Sequence, residues 1–296
     1  MYDVVILTLE PGCGTRVPVL AARDALESAG ARVSVVNASS DEDLDSALAA
    51  ACDGPARPDG LAWPETDGKT RLVVAAAADG QVRAVLRRMV RRYAPPPRAR
   101  PADLAADRTV PDLPPVGVLP MAPDGLAARL GLPTSPPEVA AVLLGDRVRR
   151  LDLLRTDSGS VTLDGAVIGG ADAAGRASGW RARIEVDDAI LSDGSDPLLA
   201  AVVANGPGYS TVDGLPLVPA AEPDDGVLDV AVALPVVSRT LLGRRRVRVE
   251  VRRARGRAVS VSPVEEVPML DDGVAGVLDR KRSWWVERGA WAVYCS

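Results

Sequence analysis

Apolar positions in the first half of the chain alternate between two rhythms. Short continuous runs predict strands buried on both faces, and segments with an apolar residue every three or four positions predict helices. Tyr2–Leu9 (YDVVILTL) is the first run, followed by a glycine-containing turn, Glu10–Thr15 (EPGCGT). Val17–Ala29 sets Val17, Leu20, Ala21, Ala25 and Leu26 on one side, and Gly30 provides a helix stop. Ala31–Val36 is the next strand. Ser40 is positioned to cap a helix over Asp41–Ala51, whose acidic residues lie near its positive end. After a Pro- and Gly-rich linker, Gly54–Thr70, the order recurs: strand Arg71–Ala76, helix Asp79–Arg92, Pro-rich Ala94–Pro115, strand Val116–Leu119 and helix Asp124–Leu130. Four alternations predict a doubly wound parallel α/β domain over residues 1–134, with its ligand site outside the carboxyl ends of the strands.

Beyond Thr134 the rhythm changes. A helix over Pro136–Leu144 precedes short β-like runs at Val148–Leu154, Ser160–Leu163, Trp180–Val186, Leu199–Ala204, Val227–Leu234, Arg246–Val251 and Ala258–Ser262. Turns rich in Gly, Asp and Ser separate them. This pattern predicts a mostly antiparallel β domain over residues 135–280. Residues 281–296 form a tail in which Trp284–Tyr294 reads as a last strand returning to the first domain.

Composition narrows the chemistry. The chain has 296 residues, 47% of them apolar, no Phe and only 3% aromatic residues, so its cores rest on Val, Leu, Ile and Ala. Histidine is absent, which excludes His-based triads, His-ligated metals and His general bases. Acid–base work would fall to carboxylates, with a hard cation such as Mg²⁺. Lysine occurs only at Lys69 and Lys281, so a phosphate-loop lysine is hard to place. The net charge of −5 argues against a nucleic-acid partner. Three scattered cysteines form neither a disulfide framework nor a zinc site. Met1–Leu9 lacks the features of a signal peptide, and no run has the length of a transmembrane span. The expectation is a cytoplasmic protein, with peripheral contact at a membrane as an option. The oligomeric state is left open, a homodimer included.

Three constellations could carry chemistry. Val73–Val82 (VVAAAADGQV) delivers Asp79 and Gly80 to a helix start whose N–H groups suit a phosphate; the alternative is that Asp79 only caps the helix. Val116–Pro133 (VGVLPMAPDGLAARLGLP) repeats that arrangement. Pro219–Val230 (PAAEPDDGVLDV) makes a tight acidic turn in which Asp225 could hold a hard cation; the alternative is an Asp-Gly turn between strands.

Together these segments resemble the diacylglycerol kinase catalytic family, which includes bacterial lipid kinases and sphingosine kinases. The resemblance runs from Glu10 to Gly273. The family's Asn-Pro-x-Ser-Gly turn is similar to Glu10–Gly14 (EPGCG), and its Gly-Gly-Asp-Gly-Thr loop to Ala77–Gln81 (AADGQ). Its Leu-Pro-x-Gly-Thr-x-Asn-Asp stretch with the following Leu-Gly-Ile-Pro resembles Leu119–Pro133. Its Asn-Gly and Asp-Asp-Gly-x-Leu-Asp-Val segments resemble Asn205–Gly206 and Pro219–Val230. The resemblance implies ATP held by Gly14, Asp79, Gly80, Gln81, Asp124 and Gly125. It also implies Mg²⁺ held by the Asp225 carboxylate and the backbone carbonyls of Glu222 and Val227. The departures are specific. Ala77 and Ala78 replace two glycines and Gln81 replaces a threonine. Met121–Leu126 (MAPDGL) is one residue short and lacks the Gly-Thr and Asn-Asp pairs. Val274 stands at the position of the family's catalytic Glu, leaving Asp271 or Asp272 as substitute bases.

Two functions therefore compete. One is ATP-dependent phosphorylation of a lipid hydroxyl such as that of diacylglycerol. The other is a non-catalytic homologue that binds a lipid, a nucleotide or a protein. Arg244–Arg257 (RRRVRVEVRRARGR) carries eight arginines and reads either as the solvated face of two strands or as a patch for anionic lipid headgroups.

Overall fold

The computed structural model describes residues 2–66, 68–170, 178–209, 211–212, 215–218, 220–239 and 245–296. Asp67 in the expected linker, Pro219 in the acidic-turn segment and Arg244 in the basic run lie outside the described residues. The chain divides into two units, Met1–Asp152 with Glu287–Ser296, and Leu153–Val286.

In the first unit, strands and helices alternate: β1 (Asp3–Thr8), α1 (Val17–Ser28), β2 (Arg32–Asn37), α2 (Asp41–Cys52), β3 (Thr70–Ala76), α3 (Asp79–Tyr93), β4 (Pro115–Pro120), α4 (Leu126–Arg129) and α5 (Pro136–Leu144). The four strands are parallel in the order β2-β1-β3-β4. Position in the sheet accounts for the burial patterns. Central β3 is buried along Arg71–Ala76, whereas edge strand β2 is largely exposed. Ser40 accepts from the Asp43 N–H and the Asp43 carboxylate accepts from the Ser40 N–H, a reciprocal cap for α2. In α3, Val82, Val85, Leu86, Met89, Val90 and Tyr93 form the buried stripe.

Residues beyond 134 also belong to this core. Val139, Ala140 and Leu143 of α5 pack with Val19 and Leu26 of α1 and with Leu119 of β4. The α/β unit thus extends past the expected boundary at residue 134, because α5 has an apolar face that α1 covers. Arg71 fixes the end of α5. Its buried guanidinium donates to the carbonyls of Leu143 and Gly145, pairs with Asp146 at 2.9 Å and lies over the Tyr2 ring. It thereby satisfies carbonyls that a helix end leaves without partners.

Two strands, β5 (Val148–Thr156) and β18 (Arg282–Tyr294), run through the division between the units. Within the first unit, β18 adds to the sheet beside β4 through Ala292↔Pro115 and Val293↔Val116.

The second unit is antiparallel. Its strands are β6 (Val161–Thr162), β7 (Gly165–Gly169), β8 (Ala182–Val186), β9 (Ala189–Asp193), β10 (Ala200–Ala204), β11 (Thr211–Val212), β12 (Leu215–Pro216), β13 (Leu228–Arg239), β14 (Arg245–Gly256), β15 (Ala258–Pro263), β16 (Val267–Asp271) and β17 (Val274–Leu278). Six of them form one sheet in the order β14-β13-β10-β7-β16-β17. In a second layer, β8 pairs with β9 and β15, and β15 with the first residues of β18. Ile168, Val203 and Val230 from the first layer pack with Ile184, Val261 and Trp284 from the second. The architecture is an N-terminal α/β unit with a parallel sheet followed by an antiparallel β unit. No described helix is long and apolar enough to cross a membrane.

Candidate functional site

The carboxyl ends of β1, β3 and β4 carry the loops that sequence reasoning singled out. Parallel register (Thr8↔Ala75, Ala76↔Pro120) sets these ends side by side. After β1, Gly12 turns the chain at φ 74°, a left-handed conformation that suits glycine. Gly14 instead lies against β2, where an added Cβ would come within 3.1 Å of Val35 Cγ1.

The loops are tied together by their own side chains. Asp79 opens α3, and both of its carboxylate oxygens are used. Oδ1 accepts from the Leu126 N–H at 2.8 Å and Oδ2 pairs with Arg129 at 2.6 Å. Gly125 leaves room beside it: a Cβ there would sit 2.9 Å from Asp79 Oδ1 and the carboxylate would have to shift. Asp124 is exposed, and Gly80 is partly exposed in the first turn of α3. Gln81 turns back over its own loop. Its Oε1 accepts from the Ala77 N–H at 2.6 Å, and its Nε2 donates to Glu10 Oε1 at 2.7 Å. Glu10 in turn pairs with Arg16 at 3.2 Å.

This arrangement does not fit a triphosphate. The Ala77 N–H, one donor such a loop offers to a phosphate oxygen, is already capped by a neutral carbonyl oxygen. Behind that oxygen stands the Glu10 carboxylate, whose charge repels a polyanion. Glu10 and Arg16 were not among the candidate site residues; the visible signal was Glu10 standing where the resemblance has asparagine.

In the second unit the register gathers the remaining candidates at one end of the six-stranded sheet. Arg255 pairs with Asp229, Asp229 with Ala204, Ala204 with Gly165, and Ala166 with Asp271. Asp225 lies in the turn entering β13. Its Oδ1 accepts from the Val227 N–H at 3.0 Å, and its Oδ2 pairs with Arg255. The same guanidinium reaches Asp229 at 3.1 Å. Burial holds the Asp229 carboxyl above its ordinary pKa, the Arg255 charge opposes this and the Asp225 charge adds to it. Glu222 is exposed, and Val227 uses its N–H on Asp225. The positive charge that Mg²⁺ would bring to Asp225 is thus supplied by Arg255, and this paired carboxylate does not fit a divalent cation. Among the described residues, no group of three or more His, Cys, Asp or Glu side chains is arranged to hold a metal.

Asp271 and Asp272 are 2% and 1% exposed. Asp271 accepts from the Thr162 hydroxyl at 2.8 Å. Asp272 accepts from the backbone N–H groups of Leu163 (2.7 Å), Asp164 (2.9 Å) and Gly165 (3.2 Å). It adopts φ 48° and Gly273 φ 76°, the pair of left-handed residues expected of a tight hairpin turn between β16 and β17. The Gly273 N–H donates to the Tyr209 hydroxyl at 2.7 Å. Burial raises the Tyr209 pKa, with the charges of Asp272, Asp164 and Asp271 adding to the effect. Asp272 therefore anchors a turn; a general base must reach its substrate, and this carboxylate is sealed among amides. Val274, at the position the resemblance gives to glutamate, is 44% exposed.

No protein-family model and no curated protein sequence matches the chain. Solved structures do. A diacylglycerol kinase from Bacillus anthracis strain Sterne matches with a TM-score of 0.63 at 14% identity, covering 100% of this chain and 97% of that one. Two further structures from the same strain, described as candidate diacylglycerol kinases, match with TM-scores of 0.66 and 0.64 at 14% and 15% identity, with the same coverage. The chain has the fold of these bacterial proteins along its whole length.

Proposed function

We propose that this chain is a lipid-kinase-fold protein that binds an anionic lipid surface and does not transfer phosphate from ATP. Gln81 carries the reading: its amide oxygen occupies the Ala77 N–H, and Glu10 holds it there. The buried Asp271 and Asp272 and the valine at position 274 support it, because they leave no accessible carboxylate at the turn where the resemblance expects a base. The likeness in fold to diacylglycerol kinases motivates lipid as the ligand class. The competing reading, ATP-dependent phosphorylation of a lipid hydroxyl with Mg²⁺, draws on the retained Asp79, Gly80 and Asp-Asp-Gly turn.

Calorimetry with ATP and Mg²⁺, and transfer of labelled phosphate to diacylglycerol in mixed micelles, separate the two. The expected result is no saturable ATP binding at micromolar concentration and no transfer. A low-micromolar Kd or a labelled lipid product overturns the proposal. Opening the loop with Glu10→Asn and Gln81→Thr together is expected to strengthen ATP binding about tenfold or more, the worth of one charge-assisted hydrogen bond.

A further inference from the structure

The hairpin of β13 and β14 is longer than the sheet that supports it. Pairing between β10 and β13 ends at Ala200↔Ala233, while β13 continues to Arg239. From Leu234 to Arg239 the only ladder partner among the described residues is β14, through pairs such as Pro235↔Val249, Val236↔Arg248 and Arg239↔Arg245. A two-stranded ribbon of this kind has little stability of its own in water. It nevertheless exposes Val236 (40%), with Arg248 exposed directly across from it on the same face, and Val249 (43%) on the opposite face.

Charge divides the hairpin in two. Near the sheet, the arginines are engaged within the fold. Arg252 pairs with Glu250 and Asp196, Arg253 donates to the carbonyls of Pro216 and Leu217, and Arg255 joins Asp225 and Asp229. Between Asp229 and Glu250, by contrast, the sequence has five arginines, no acidic residue and no aromatic residue, in a chain whose net charge is −5.

We infer that the distal part of this hairpin, residues 234–239 and 245–250, is a docking ribbon for an anionic lipid bilayer; the inference rests on the lipid-binding reading above. The arginines supply the attraction to the headgroup phosphates, and Val236, on the same face as Arg248, enters the apolar boundary beneath it. Single-stranded nucleic acid would also meet positive charge, but it binds on aromatic platforms that this segment lacks. A second copy pairing along β14, the outer strand of the sheet, would set arginines against arginines, a device that keeps sheet edges apart.

Co-sedimentation of the full chain with vesicles tests this. Wild type is expected to bind phosphatidylcholine vesicles containing phosphatidylserine, to ignore pure phosphatidylcholine, and to weaken as salt rises. The triple variant Arg239→Glu, Arg245→Glu and Arg248→Glu is expected to bind about a hundredfold more weakly or worse, given the contribution of each basic residue near an anionic surface. Reversing exposed Arg91, Arg98 and Arg147 of the first unit makes the same change in net charge and is expected to have a far smaller effect. Val236→Ser keeps every charge and is expected to weaken binding at high salt as well; it serves as the decisive variant if the triple variant does not fold. Wild type that ignores anionic vesicles overturns both this inference and the lipid-binding reading. Wild type that binds while the hairpin variants bind equally well, or lose no more than the first-unit control, overturns the inference alone. A wild-type dimer in sedimentation that the hairpin variants dissolve, or preferential retention on single-stranded nucleic acid, also overturns it.

Discussion

Arg255 and Asp272 illustrate how a single partner redefines a residue. Asp225 looks like a cation ligand in sequence, but Arg255 spans it and Asp229. Arg255→Gln is expected to cost about 1 kcal/mol at pH 7, because the arginine is half-exposed and solvent screens the pair. The cost should depend on pH in a definite direction. Burial already holds the Asp229 pKa above its unfolded value, with Arg255 opposing and Asp225 reinforcing the rise, so removing Arg255 raises it further. A carboxyl raised in the folded state contributes stability below its unfolded pKa, near 4, and loses that contribution as pH rises through the folded value. Thermal melts of the variant and wild type should therefore converge near pH 3 and separate by pH 7, and Mg²⁺ should leave the wild-type Tm in place. The sequence named Asp225 and Asp272 but could not name their partners. Arg255 meets Asp229 only through the register of β13 on β14, and the amides of residues 163–165 meet Asp272 from far along the chain. Gln81 was legible as a departure; its use as an internal cap was not.

Elements were legible where periodicity and end signals agreed. The α2 start is a case: Ser40 precedes the first turn, and Asp43 stands three residues on. Ser40→Ala is expected to lower stability by about 1 kcal/mol, as removal of a helix cap does. Hydrogen bonds from the Ser39 and Ser40 side chains, with smaller contributions from their backbone N–H groups, hold the Asp43 pKa below its usual range. A carboxyl lowered in the folded state contributes above its unfolded pKa and loses that contribution as pH falls through the folded value. Asp43→Asn should thus melt below wild type at pH 7, and the gap should close below about pH 4. The elements that sequence reading missed, β7, β9, β16 and β17 among them, have physical reasons for silence. β7 (GAVIG) is bracketed by glycines, β16 has Pro268 inside a correct alternation, and β17 is largely exposed. β13 and β14 were foreseen only in part: the apolar run of β13 stops at Leu234 before Pro235, and that of β14 stops at Val251 before Arg252 and Arg253, although both strands continue.

At the scale of the whole molecule, the change from parallel to antiparallel layers was legible because hydrophobic period and turn density change together beyond residue 134. The extent of each unit was not, since α5 reads equally well as an opening helix of the second half. The placement of residues 287–296 in the first unit has a further consequence. Glu287 accepts from the Thr109 N–H and hydroxyl, Trp291 donates to the Asp152 carbonyl, and the Ala290 carbonyl accepts from Leu113. A stop codon in place of Glu287 is expected to expose the amides of residues 109–120 to rapid hydrogen exchange and to abolish cooperative melting of the first unit. During translation the same dependence imposes an order. The ribosome delivers β1 to α5 early, yet their sheet lacks its fifth strand until all of Leu153–Val286 has emerged. The N-terminal layer must therefore wait, with the flank of β4 uncovered, before its last native contacts can form.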